Sequence, residues 1–213
     1  MRPVAEIVVA AAVMYGALAS PATAAARQCP SRATARNGLL SVFRGTDAVA
    51  YATRATGNSY VCDRRSGRRT ALESQLFGAN SGSAVSRRSV AIAGPYVAWE
   101  YQAIDGNVFY SGLELVNART GKQTLIEQID VTNRLPGPLH YLRLALRSSG
   151  ALAWSTTDGI SACVHCQQVT GDPPRPAIHR LASAHGLAPR TLRTTPQGIT
   201  WTQNGHAVHK RLN

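Results

Sequence analysis

A three-residue strand core recurs four times in this chain: Val49-Ala50-Tyr51, Val97-Ala98-Trp99, Leu152-Ala153-Trp154 and Ile199-Thr200-Trp201, with the aromatic residues 48, 55 and 47 positions apart. An internal repeat of this length constrains the fold more than any single motif, because each copy must form one supersecondary unit that stacks on its neighbours. In extended chain the branched or long apolar residue and the aromatic share one face, and the small residue takes the other. One face of each unit is therefore built for a thick core layer. A tight-turn signal follows every triplet: Thr56-Gly57-Asn58, Asp105-Gly106-Asn107, Asp158-Gly159 and Asn204-Gly205. Asp-Gly and Asn-Gly suit the positive backbone angles of two-residue hairpins, so a second strand returns in every copy.

In the first three copies the return strand runs into another turn: YVCDRRSG to Gly67, LELVNARTG to Gly121 and VHCQQVTG to Gly171. Counting back from each glycine puts Cys62, Val116 and Cys166 on one repeat position. Upstream of the triplets lie further strand candidates at 41–44, 89–93, 142–146 and 191–194; downstream, RRTALE (68–73) and KQTLIEQ (122–128) supply a fourth strand. Four short antiparallel strands per unit of roughly 40–50 residues is the pattern of a propeller blade. The expected fold is all-β and β-propeller-like, with repeats at about 39–73, 89–128, 141–181 and 190–213. The pattern VAW…DG…LELVN.RTGK resembles the blades of WD-repeat and TolB-type propellers. With Cys29-Pro30 and the strand Tyr60-Val61-Cys62, the chain is similar to small secreted proteins of high-GC Gram-positive bacteria. That resemblance implies architecture and assigns no site residue. The last copy ends at HAVHKRLN without a fourth strand. Residues 27–40 are available to close the ring by pairing with it; the alternatives are association of two chains or an open stack. A β-sandwich is the competing architecture, since its short strands and frequent turns read alike, but the fourfold triplet favours the propeller.

The compartment bears on the chemistry. Arg2, an apolar run from Ile7 to Ala19, then Ser20-Pro21 and the small-residue series to Ala26 form the three parts of a secretory signal peptide, here residues 1–26. The run is short of the roughly 20 apolar residues that span a bilayer, and Arg27-Gln28 before Cys29 does not suit a lipobox. Residues 27–213 are then one secreted domain, extracellular or wall-associated, without a transmembrane segment after cleavage.

An oxidising destination favours disulfides among Cys29, Cys62, Cys163 and Cys166. Four cysteines allow three connectivities. Cys29 with Cys62, tying the N-terminal segment to the first blade, and Cys163 with Cys166 are favoured. The second pair meets a geometric difficulty, because three extended residues separate Cα atoms by roughly 10 Å, whereas a disulfide needs about 7 Å or less. The strand must bulge at Val164-His165, or the cysteines pair elsewhere.

Cys163, Cys166, His179 and His185 carry the spacing of a zinc finger. Such a finger presents its histidines from a helix, yet Gly171-Asp172-Pro173-Pro174-Arg175-Pro176 occupies the place where that helix would begin. Prolines inside a helix cost about 3 kcal/mol each. No metal site is expected. Redox catalysis by Cys163-Val164-His165-Cys166 lacks the helix N-terminus that lowers a thiol pKa. His206 and His209 face opposite ways on a strand. The three tryptophans suit a core between blades rather than a sugar-stacking platform. No Gly-x-Ser-x-Gly elbow, His-Glu-x-x-His or phosphate-binding loop is present. No catalytic residue and no cofactor is expected.

The remaining signal is charge. The chain carries a formal net charge of +12. In a propeller the turns between third and fourth strands open on one face of the ring. They carry Arg64, Arg65, Arg68, Arg69, Arg119 and Lys122, whereas the second-to-third turns carry Asp105 and Asp158. A basic rim would attract anionic polymers or lipid headgroups at low salt. The expectation is a secreted non-catalytic binding or scaffolding module for an anionic cell-envelope polymer or another surface protein, with export arguing against nucleic acid. The alternative is a hydrolase or lyase with its site in the central funnel.

Overall fold

The triplets and their turn signals fold as meanders. The computed structural model describes residues 29–30, 39–53, 58–72, 90–105, 108–130, 141–168 and 176–212. All its regular structure is β, in four antiparallel sheets that follow one another along the chain. The first sheet is β1 (Leu39–Arg44), β2 (Ala48–Thr53), β3 (Ser59–Asp63) and β4 (Arg69–Ala71). The second is β5 (Val90–Ala93), β6 (Tyr96–Asp105), β7 (Val108–Asn117) and β8 (Gln123–Asp130). The third is β9 (Arg143–Leu146), β10 (Leu152–Ser155), β11 (Gly159–Cys163) and β12 (His179–Ser183). The fourth has three strands among the described residues: β13 (Leu187–Thr195), β14 (Gly198–Gln203) and β15 (His206–Arg211). Each triplet lies in the second strand of its sheet, and strands pair in sequence order. The Asn204-Gly205 turn has φ of 51° and 78°, the left-handed pair that lets a two-residue hairpin follow strand twist.

The triplets also explain how the sheets stack. Val97 and Trp99 pack in one cluster with Ala48, Ala50 and Ala52 of the preceding sheet. Leu152 and Trp154 do the same against Ala98, and Ile199 and Trp201 against Ala151 and Ala153. Through its second strand each of the last three sheets thus presents large residues to the sheet before it, and each of the first three presents alanine to the sheet after it, with Leu113, Leu115 and Ile126 of the second sheet completing that layer. Alternating large and small residues lets facing layers interdigitate at close-packed density. Trp99, Trp154 and Trp201 are accordingly buried. The first strands of consecutive sheets also touch, β1 with β5, β5 with β9 and β9 with β13.

The stack does not close on itself among the described residues. Val49 and Tyr51, the large face of the first sheet, form a separate cluster with Cys62, Cys29, Val42 and Tyr60. Among the described residues no apolar cluster joins the first sheet to the fourth, whose last face carries Thr200 and Thr202. Of the segment expected to close the ring, Leu39 pairs with Thr53 inside the first sheet, and Cys29 is bonded to Cys62 on β3. Residues 27, 28 and 31–38 lie outside the described residues.

The Cys29–Cys62 bond spans 33 residues with Cα atoms 5.6 Å apart. In the chain-entropy account a loop of that length is worth about 3–4 kcal/mol. Cys29→Ser/Cys62→Ser is expected to lose about that much stability in urea unfolding. A change below about 1 kcal/mol would mean that the cross-link constrains little of the unfolded chain.

Two expectations about the third repeat are corrected. β11 ends at Cys163, and the next residues turn back, with Gln168 N–H donating to the His165 carbonyl at 2.8 Å. That turn brings Cys163 and Cys166 to a Cα separation of 5.3 Å, where they are disulfide-bonded. The strand thus stops instead of continuing through Cys166. Register also reassigns the repeat position: Val49 pairs with Cys62, Val97 with Val116, and Leu152 with Cys163. The turn after Cys163 puts Cys166 off the strand position that Cys62 and Val116 hold.

Candidate basic rim

Two of the third-to-fourth strand turns share one local design. Gly67 N–H donates to the Asp63 carbonyl at 2.8 Å and Gly121 N–H to the Asn117 carbonyl at 2.7 Å. Both glycines hold left-handed φ, 69° and 75°, which favours glycine. The residue that opens each turn caps it with its side chain. Asp63 Oδ2 accepts from Ser66 Oγ at 2.6 Å, and Asn117 Oδ1 from Arg119 N–H at 3.0 Å. The arginines between are thereby displayed on stiff loops.

Hydrogen bonds then connect turn to turn across the sheets. Arg64 donates to the carbonyls of Gly45 and Thr46 in the β1–β2 turn, at 3.1 and 3.2 Å. Arg68 donates to the Arg119 carbonyl at 3.1 Å. Lys122 Nζ donates to the Gln167 carbonyl, and Gln167 Nε2 returns a bond to the Lys122 carbonyl at 2.8 Å. Arg119 reaches Asp47 Oδ2 at 3.1 Å, and Arg65 lies 3.9 Å from the same oxygen. Arg64, Arg65, Arg68, Arg119 and Lys122 therefore lie on linked turns at one edge of the stack. Arg65 and Arg119 keep 70% and 43% of their side chains exposed. Ion pairs this exposed are worth about 0–1 kcal/mol, so Asp47 leaves most of the positive field intact.

Arg69 does not join them. It lies over the Tyr60 ring at 4.9 Å, a cation–π contact on the outer face of the first sheet. Arg147, which sequence reading missed, does extend the edge. From the β9–β10 turn it donates to the Pro196 carbonyl at 2.8 Å and the Leu212 carbonyl at 3.4 Å. Strand parity was the available signal, since first-to-second turns open on the same side as third-to-fourth turns. On the opposite side, Asp158 is exposed and Arg180 donates to its carbonyl, which sets a cation beside the expected acidic position. The Asp105 side chain lies outside the described residues.

Asp63 sits beneath the arginines. Burial opposes its ionisation, but bonds from Ser66 Oγ, the Ser66 and Arg65 amides and the field of Arg119 outweigh it, and its pKa is lowered. A depressed folded-state pKa contributes stability that is full above the ordinary value of 3.8 and is lost as pH falls through the lower folded value. Asp63→Asn keeps an acceptor for Ser66 but removes the charge. Its destabilisation relative to wild type is expected to shrink as pH falls from about 6 to about 3. An unchanging difference in unfolding free energy across that range would contradict this.

A second polar group lies between the second and third sheets. Ser111 Oγ donates to Glu100 at 2.9 Å, and Tyr141 O–H to Glu127 at 3.2 Å. Burial, with both carboxylates nearby, pushes the Tyr141 hydroxyl upward. Glu100 is 3% and Tyr141 0% exposed, so neither presents a surface on which a substrate could act. Cys163 and Cys166 are equally sealed, while His179 lies on β12 and His185 in the following turn. Among the described residues no three His, Cys, Asp or Glu side chains group as metal ligands, and no helix is long and apolar enough to cross a membrane. No family model and no curated protein matches the chain.

Proposed function

We propose that this protein is a secreted, non-catalytic binding module that holds anionic cell-envelope polymers on the basic edge of an open, propeller-like stack of sheets. The observation that carries the proposal is the linkage of Arg64, Arg68 and Lys122 to backbone carbonyls of neighbouring turns. A carbonyl orients a cation without neutralising it, so the charges are fixed in space and remain available to a ligand. Two carboxylates, Asp47 and Asp63, accompany five cations there. The disulfides fit an oxidising destination, and the sequence of residues 1–26 supports export. The large-on-small packing of successive sheets supports the propeller-like reading.

Equilibrium binding to poly(glycerol phosphate), polygalacturonate and neutral dextran tests this. The two anionic polymers are expected to bind, with affinity falling as salt rises, and dextran is not. Equal binding of all three, or none by the anionic pair at low salt, would overturn the proposal.

A further inference from the structure

Among the described residues the fourth sheet has three strands where the others have four, and its last strand differs from the last strands of the others. β4 has three residues, while β8 and β12 join their neighbours through register shifts. β15 instead runs for six residues in unbroken register with β14, from Gln203↔His206 to Gly198↔Arg211. Its hydrogen bonds go to β14, including Thr200 Oγ donating to the Val208 carbonyl at 2.9 Å. Its outer edge has no partner among the described residues. Five of its six side chains are exposed. A long, regular, uncovered edge is a template for another strand.

Charge identifies the kind of strand. Residues 187–212 contain Arg190, Arg193, Lys210 and Arg211 and no Asp or Glu. Among the described residues these cations form no ion pair. A second copy pairing antiparallel through β15 in full register would set Lys210 opposite Ala207 and Arg211 opposite His206, so neither cation would meet an acidic group. An acidic segment meets the opposite balance. Beside the end of the strand lies an open cavity of about 230 Å³ lined by Thr195, Gln197, Gly198, Ile199, His209, Lys210 and Arg211. It has room for a carboxylate side chain next to the two cations.

We propose that β15 is a docking edge for an extended acidic segment of a partner protein, which pairs with it as the fourth strand of the sheet. Backbone hydrogen bonds supply the attachment, and Lys210 and Arg211 select against basic or neutral strands. This surface is separate from the arginine edge, and the inference does not rest on that reading.

The test uses a fluorescein-labelled decapeptide of alternating Glu and Thr, a Lys-Thr counterpart, and two forms of the acidic peptide N-methylated along one backbone edge or the other. Fluorescence polarisation is expected to show binding of the Glu-Thr peptide only. Methylation of one edge should weaken it at least tenfold, and methylation of the other about twofold or less. The exposed-site variant Lys210→Glu/Arg211→Glu should lose at least tenfold. Equal affinity of both methylated forms with the unmodified peptide would mean charge attraction without strand pairing and would overturn the proposal. So would equal binding of the Lys-Thr peptide. Slow hydrogen exchange at every β15 amide in the free protein would show the edge already occupied by this chain or a second copy, with the same consequence.

Discussion

Replacing Trp154 with alanine is expected to lower the unfolding free energy by about 3–5 kcal/mol, a large fraction of the stability of an ordinary domain. Trp154 is 1% exposed, and it packs in the cluster that joins the third sheet to Ala98 of the second. Truncation removes the transfer free energy of an indole and leaves a cavity that Ala98, Leu113, Leu115 and Ile126, held on the strands of the second sheet, fill only in part. The converse substitution probes the same layer from the other side. Ala98→Leu adds volume where an indole already fills the space, and overpacking of this kind costs about 1–3 kcal/mol. Urea unfolding of both variants measures these losses. A Trp154→Ala loss below about 1 kcal/mol would mean that the sheets are not held by large-on-small stacking.

The largest effect on binding is expected at the arginine edge. Arg64→Ala/Arg68→Ala/Arg119→Ala removes three of five cations, and none of the three side chains belongs to an apolar cluster. Each phosphate neutralised on a polyanion adds about 0.7–0.9 to the slope of log affinity against log salt. The triple variant is therefore expected to bind poly(glycerol phosphate) at least tenfold more weakly at low salt, with a slope flatter by about 2. Arg69→Ala is the internal control. Its guanidinium faces Tyr60 on the side of the first sheet, so it should leave the salt slope nearly unchanged. Equal losses in the two variants would point to diffuse net charge rather than a defined edge.

These effects rest on features that were legible to different degrees in the sequence. The triplets placed the second strand of every sheet because period-two alternation and Asn-Gly or Asp-Gly turns are local signals. They also placed the tryptophans in the core. Which sheet each face would meet was not legible, since that depends on stacking order; only the structure sets Trp99 against Ala50 and Trp154 against Ala98. The position of Cys166 was not legible, because equal spacing from a glycine implies strands of equal length, whereas this strand stops at Cys163 and turns. Arg69 was grouped with its neighbours by proximity in sequence. It begins β4, and its side chain crosses to the Tyr60 ring while Arg68 reaches the next turn. Arg147 stands alone in sequence, and strand parity is the signal that sets its β9–β10 turn on the same side as the others.

The central claim is that the linked turns form the ligand-binding surface. Amide hydrogen exchange with and without poly(glycerol phosphate), at low salt, tests it most directly. The expected result is added protection at residues 45–47, 63–68 and 117–122, with β15 and the Asp158 turn unchanged. Protection spread evenly over the chain, or confined to residues away from those turns, would contradict it.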